Sequence, residues 1–241
     1  MAEYFTNSSG IKLGYKLTQK KESNEVVVFC HGKGGSMDSW FYPSVVDSLP
    51  TNTFQFDFTG NGTSEGEFTY SGYEQEAKDL NDAVNFLRTK NYHVKAVIGH
   101  SKAADVVIIY SAIFSEVPNI IALAPRFNMQ TLPEVNSAFY EKVFAEGQAE
   151  MNTASGTKIV TAEQIRERQS VNMQSYSERA RGNIYLVHGT LDTIIPFEDS
   201  EKFAEVLGDK LKDFYRLECD HFFEGKLDDL KQILKDLLNQ L

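Results

Sequence analysis

The chain has 241 residues, 41% hydrophobic and 24% charged, a size that suits one large α/β domain or two small ones and buries a sizeable core. Its formal net charge of −10 speaks against nucleic acid, whose phosphates demand Lys and Arg, and against anionic membrane surfaces. Two distant cysteines, Cys30 and Cys219, make neither a disulfide framework nor a zinc site, and no apolar run nears the length of a membrane span.

The amino-terminal Met-Ala-Glu-Tyr-Phe-Thr-Asn-Ser-Ser-Gly has no basic region and no apolar core, so no signal peptide is expected and the cytoplasm is the default location. Residues 3–6 and 12–18 alternate apolar and polar around Asn7-Ser8-Ser9-Gly10, an opening hairpin with Gly10 in the turn. Residues 26–30 form an unbroken apolar run, the mark of a strand buried on both faces, and His31-Gly32-Lys33-Gly34-Gly35-Ser36 follows at once. A short helix over 40–49 is ended by Pro50, and a strand covers 53–58. Tyr73, Ala77, Leu80, Val84 and Leu87 fall at helical spacing, which predicts an amphipathic helix over 72–90, and His93 then sits in a surface turn.

The next unit carries the chemistry. Residues 94–98 are an apolar strand run, residues 103–110 continue as a helix, and Gly99-His100-Ser101-Lys102-Ala103 joins them. This reads as a nucleophile elbow, G-x-S-x-G with alanine in the last place. Strand and helix come close at such a turn, so small residues are needed two places either side of the serine. The helix that starts there points free N–H groups and partial positive charge at the turn, which suits a transient oxyanion.

A strand over 119–124 ends at Pro125. From 126 to 181 the strand–helix rhythm stops: Val135, Phe139 and Val143 suggest a helix, Ser155-Gly156 a turn between two extended pieces, and Thr161-Ala-Glu-Gln164 a capping box. This segment reads as an inserted cap. Rhythm returns with a strand over 183–188, a helix over 197–207, a strand over 213–217 and a last helix with Leu227, Leu230, Ile233, Leu234 and Leu237 on one face. Such alternation implies a mostly parallel sheet covered on both sides, with ligands bound beyond the carboxyl ends of its strands.

A serine nucleophile needs a base, and the base needs an orienting acid. Of five histidines, His221 follows the last strand and can reach back over the sheet. His100 adjoins Ser101, where neighbouring side chains diverge; His31 reads as a loop organiser, and His188 lies in a strand. Asp192, in the loop after the preceding strand, is the orienting acid. Glu198 and Asp199 suit the first turn of the following helix, and Asp220 shapes its loop. The order Ser101, Asp192, His221 matches one of the known triad orders. Backbone N–H groups of Lys102 and Lys33 are the candidate oxyanion donors. The simplest expectation for both lysine ammonium groups is a solvated surface position. Gly60-Asn61-Gly62 lacks the third glycine of a dinucleotide fingerprint and reads as a structural turn, and Cys219 reads as a small buried residue. Trp40, Phe127, Phe139, Phe222 and Phe223 are candidates for a pocket lining or for core.

Together these pieces resemble the α/β-hydrolase superfamily: residues 26–35 (V-V-V-F-C-H-G-K-G-G), 56–62 with Ser64 (F-D-F-T-G-N-G-x-S), 98–103, 189–196 (G-T-L-D-T-I-I-P) and Asp220-His221. Within it the chain is similar to the serine aminopeptidase-like hydrolases, and to bacterial cinnamoyl (feruloyl) esterases in particular. The resemblance implies an α/β-hydrolase core over 1–125 and 182–241, a cap over 126–181 between the sixth and seventh core strands, a triad of Ser101, Asp192 and His221, backbone donors at Lys33 and Lys102, and no cofactor or metal. It implies a carboxylic-ester hydrolase acting on a small molecule through an acyl-enzyme. An aminopeptidase, a thioesterase and a non-catalytic ligand-binding member are the alternatives. Ala103 departs from the family's usual glycine, a mild crowding of strand against helix.

Overall fold

Residues 26–30 are all buried, and their side chains divide strictly by parity, as a strand between two covered faces requires. Val26, Val28 and Cys30 enter one core, Val27 and Phe29 the other. The computed structural model describes residues 3–241; Met1 and Ala2, where the reading of the amino terminus begins, lie outside the described residues.

The strands are β1 (Glu3–Thr6), β2 (Lys12–Thr18), β3 (Glu25–Cys30), β4 (Asn52–Phe56), β5 (His93–His100), β6 (Asn119–Leu123), β7 (Gln148–Thr153), β8 (Gly156–Thr161), β9 (Asn183–Gly189) and β10 (Leu211–Leu217). Eight form one sheet in the order β1-β2-β4-β3-β5-β6-β9-β10, parallel from β4 to β10, with β1 and β2 antiparallel at one edge. The helices are α1 (Tyr42–Ser48), α2 (Tyr73–Thr89), α3 (Lys102–Ile113), α4 (Ser137–Glu146), α5 (Ala162–Ser170), α6 (Met173–Arg179), α7 (Phe197–Leu207) and α8 (Leu227–Gln240). This is the α/β-hydrolase fold expected, a mostly parallel sheet covered on both sides.

One face of the sheet packs on α2, α3, α6 and α7, the other on α1 and α8. Helix α3 is buried continuously from Lys102 to Ser111, because it lies under α2 and α6 as well as on the sheet. Such a helix shows no apolar stripe. The amphipathic α8 instead buries Leu230, Leu234, Leu237 and Leu238 along one side.

Between β6 and β9 stand α4, the β7–β8 hairpin, α5 and α6. Tyr140, Val143, Ala149, Val160 and Ile165 gather here into a small core that Tyr70 joins. The Thr161 capping box opens α5. Val135 lies in a 3-10 turn before α4 and is 59% exposed. His93 is the first residue of β5 rather than part of a turn. No described helix is long and apolar enough to cross a membrane.

The sheet order places the site. From β3 the chain goes outward to β4, then returns to the other side of β3 as β5. The carboxyl ends of β3 and β5 therefore flank the crevice where strand order reverses, the place ligands bind in open α/β sheets.

Candidate active site

Strand β5 runs into α3 through one residue, Ser101, held at φ 58° and ψ −124°. Few residues other than glycine adopt a positive φ, and holding one there costs roughly 1–3 kcal/mol. The turn is tight because β5 and α3 touch: a Cβ on Gly99 would lie 2.1 Å from the Ala103 carbonyl oxygen. Ala103 itself is fully buried. The loop after β3 presses on the same turn, where a Cβ on Gly32 would come within 3.1 Å of the Ser101 Cβ.

The amides of Lys33 and Lys102 have no acceptor among the described residues. Lys102 opens α3, where no helical carbonyl lies four residues behind to take its N–H.

His221 Nε2 lies 2.9 Å from Ser101 Oγ, and His221 Nδ1 lies 2.6 Å from Asp192 Oδ2. The three residues thus form one hydrogen-bonded chain across the ends of β5, β9 and β10. Asp192 is held from every side. Its Oδ1 accepts from the amides of Ile194 and Ile195, both at 2.8 Å, and its Oδ2 also accepts from His188 Nε2 at 3.1 Å. Burial alone would raise the Asp192 carboxyl, but the hydrogen bonds from His188 and His221, the nearby His221 charge and the Ile195 amide hold it well below the usual carboxylate range. Ser200 donates its hydroxyl to His188 Nδ1 at 2.6 Å, which fixes that ring in turn.

His100 does not turn away from this chain. Its Nε2–H donates to the His221 carbonyl at 2.9 Å, and its Nδ1 accepts from the Tyr42 hydroxyl at 2.8 Å. That hydroxyl accepts from the Gly32 amide at 3.0 Å. His31 organises the loop after β3, with Nδ1 donating to the Gly32 carbonyl at 2.8 Å and Nε2 accepting from the Phe58 amide at 3.2 Å. Gly60 and Gly62 adopt positive φ in a turn around Asp57, which a Cβ on Gly62 would meet at 2.1 Å. Cys219 is buried, and burial pushes its thiol up to about 11.

Neither lysine side chain is a free surface group, contrary to the simplest expectation: Lys102 is buried and Lys33 is half-buried. Lys102 lies under α2 and pairs with Glu76 at 2.7 Å, both groups nearly fully buried. Burial pushes Glu76 up to about 6 against the opposing pull of Lys102. The Lys33 ammonium donates to the Tyr70 hydroxyl at 2.9 Å, and Tyr70 in turn meets the Tyr140 hydroxyl of α4 at 2.7 Å.

A cavity of about 50 Å³ opens beside Ser101, walled by Lys33, Lys102, Asp105, Arg126 and Arg168 among others. Sequence reading did not find Glu76, Asp105, Arg126 or Arg168. One signal existed: Glu76 stands three residues after Tyr73 and four before Leu80, on the apolar stripe of α2, where a carboxyl requires a partner. The aromatic candidates scatter. Phe223 is core, Phe127 packs on Phe203, Phe139 packs on Tyr140, and Trp40, 51% exposed, leans on Phe222 beside His221. The β7–β8 hairpin touches the loop after β3, where the Ala154 amide donates to the Gly34 carbonyl at 2.7 Å.

The model of the family described as "alpha/beta hydrolase fold" matches residues 25–215, well over half of the chain. The chain belongs to the alpha/beta hydrolase fold family. Among solved structures of this family's architecture, Est1E from Butyrivibrio proteoclasticus with ferulic acid bound superposes with a TM-score of 0.76 at 18% identity, covering 99% of this chain and 98% of that one. The Pyrococcus furiosus esterase Pf2001 gives 0.79 at 20% identity, covering 99% and 91%. Mouse alpha/beta hydrolase domain-containing protein 10 gives 0.74 at 16% identity, covering 100% and 99%. No curated protein matches the chain by sequence.

Proposed function

We propose that this α/β hydrolase cleaves carboxylic esters of small molecules through an acyl-enzyme. The observation that carries the proposal is the hydrogen-bonded chain from Ser101 through His221 to Asp192, ending at a serine in a strained turn. The esterases among the structural relatives, one of them solved with ferulic acid, support the same direction.

In the mechanism, His221 Nε2 takes the Ser101 proton as Oγ attacks the ester carbonyl. The developing oxyanion is received by the amides of Lys33 and Lys102; losing one such donor typically costs ~10²–10³ in kcat. Collapse breaks the bond to the alcohol, which leaves with the proton from His221. Water then adds to the acyl carbon, its proton passes to His221 and on to Ser101 Oγ, and the acid departs. Asp192 keeps His221 in the Nδ1–H tautomer and stabilises the imidazolium. Residues 126–181 act as the cap over this site. No cofactor or metal takes part, and two free buried cysteines suit a cytoplasmic setting.

The cationic wall beside Ser101 disfavours an aminopeptidase, which needs an acidic anchor for the substrate amine. A binding role without catalysis would not require the whole chain of hydrogen bonds. Fluorophosphonate labelling and hydrolysis of p-nitrophenyl esters from acetate to laurate test the proposal, with Ser101→Ala as control. Labelling and turnover that vanish in S101A are expected; a folded wild type that neither labels nor turns over would overturn it.

A further inference from the structure

The cavity beside Ser101 carries more positive charge than ester hydrolysis requires. Its wall holds four cations, Lys33, Lys102, Arg126 and Arg168, against one carboxyl, Asp105. The chain as a whole is acidic, with a formal net charge of −10, so this surplus is local. Glu76 accounts for Lys102. The other three have only neutral hydrogen-bond partners. Lys33 Nζ donates to the Tyr70 hydroxyl and lies 4.4 Å from its ring centre. The Arg126 guanidinium donates to the Thr131 hydroxyl at 3.2 Å and to the Ile194 carbonyl. The Arg168 guanidinium donates to the carbonyls of Met129 and Thr131, the latter at 2.7 Å. Among the described residues, none of the three has a carboxylate oxygen within 4.0 Å.

Asp105 and Asp199 act on Arg126 from beyond 4.0 Å, but carbonyls and hydroxyls aim a guanidinium without neutralising it, and a buried charge whose counter-charge is incomplete is costly. Both arginines are only 4% exposed. The cations also press on one another: burial first, then the charges of Arg168 and Arg126, lower the proton affinity of Lys33, with Tyr140 pulling the other way. An anion in the cavity would relieve all of this. Each guanidinium carries five N–H groups and meets two acceptors, so donors remain for it. A cavity of about 50 Å³ has room for roughly three to five water-sized groups. A carboxylate with one or two methylenes fills that. Ser101 stands in the same wall, so an anion held here belongs to the molecule whose carbonyl the serine meets.

We infer that the substrates are monoesters of short dicarboxylic acids, the free carboxylate of the acyl chain held by Lys33, Arg126 and Arg168 while Ser101 attacks the ester carbonyl at the other end. This rests on the esterase reading above. Its products are the alcohol and the free dicarboxylate, with water the only other reactant.

The test compares kcat/KM for monoethyl succinate with that for ethyl 4-methylpentanoate, in which an isopropyl group replaces the carboxylate at equal shape. Acetylglycolate, with its carboxylate on the leaving-group side, is the third substrate. A preference of tenfold or more for monoethyl succinate is expected, with Lys33→Met and Arg168→Met each reducing the ratio at least tenfold. Arg168 also ties two carbonyls, so K33M carries the test if R168M does not fold. Hydrolysis of the uncharged ester with no preference for the succinate, or a preference for acetylglycolate, overturns the inference and leaves the esterase reading standing. Thermal unfolding with added succinate or glutarate, on wild type and S101A, separates the two further. Stabilisation that K33M abolishes supports the anion site even in a protein that hydrolyses no ester. Neither stabilisation nor hydrolysis in the folded protein overturns it.

Discussion

His100 and His221 are joined through the main chain, the Nε2–H of the first donating to the carbonyl oxygen of the second at 2.9 Å. That bond fixes the His100 tautomer and frees its Nδ1 to accept from Tyr42, whose hydroxyl accepts from the Gly32 amide. One relay thus ties the loop after β3, helix α1, the serine turn and the loop carrying His221. Replacing His100 by Phe removes two buried hydrogen bonds, at about 1–3 kcal/mol for each partner left unsatisfied. Expected with it is a fall in kcat of roughly ten- to a hundredfold, from misplacement of His221 and the Gly32 loop, with KM little changed. Steady-state kinetics on an ester substrate check this; a rise in KM at constant kcat would assign His100 to substrate binding.

Ser101 supplies a test of stored strain. At most positions glycine is less stable than alanine, because the unfolded chain gains freedom. At φ 58° the sign should reverse. S101G is expected to unfold about 2–4 °C above S101A, the shift that about 1 kcal/mol gives in a domain of this size. Both variants lack the hydroxyl, so calorimetry of the pair isolates the backbone.

The Lys102–Glu76 pair is buried on both sides. Lys102→Met strands a carboxyl in the core, with an expected cost of about 3–5 kcal/mol. Because Glu76 is already pushed up to about 6, it escapes part of that cost by keeping its proton, so the penalty grows as pH rises. K102M/E76M should return to within about 1 kcal/mol of wild type or exceed it. Denaturant unfolding of the single and double variants decides; equal loss in both would mean the pair acts through packing rather than charge.

Stability should also fall on acidification. Burial, followed by the charge of His221, lowers His100 well below the ordinary histidine value, and burial lowers His31 despite Asp57. The unfolded chain takes up protons near about pH 6.5 while the folded chain does not, so stability declines as pH drops through that range. Asp192 adds a second loss lower down. Its folded carboxyl is depressed, so its contribution is full above the unfolded value near about 3.9 and disappears as pH falls through the folded one. The unfolding temperature followed from about pH 7.5 to 5.5 should drop in wild type and drop less in His100→Gln. Parallel curves would mean that His100 does not set the slope.

The sheet was legible because its signals are local. Continuous apolar runs mark the inner strands, and the five residues around Ser101 carry the close approach of strand and helix within themselves. Asp192 and His221 are legible because each follows a strand whose end a parallel sheet must bring beside the serine turn. Helix α6 escaped because seven residues with only Met173 and Ser177 buried hold too few turns to show a period. The charges beside Ser101 escaped for a different reason. Lys33, Arg126 and Arg168 come from the loop after β3, the loop after β6 and helix α5, and no spacing along the chain announces that they share a wall. A lysine alone in a sequence is most often solvated; the packing of α2 over α3 buries Lys102, and Tyr70 half-buries Lys33.

The bond from the Ala154 amide to the Gly34 carbonyl places the tip of the β7–β8 hairpin on the peptide next to Lys33. Any molecule bulky enough to lift that hairpin drags on the segment proposed above to receive the oxyanion. A misfit would then be felt at the rate of bond making as well as in occupancy, so poor substrates should saturate the protein and still turn over slowly. Selectivity in such an arrangement is a matter of timing, and a survey of substrates by affinity alone would miss most of it.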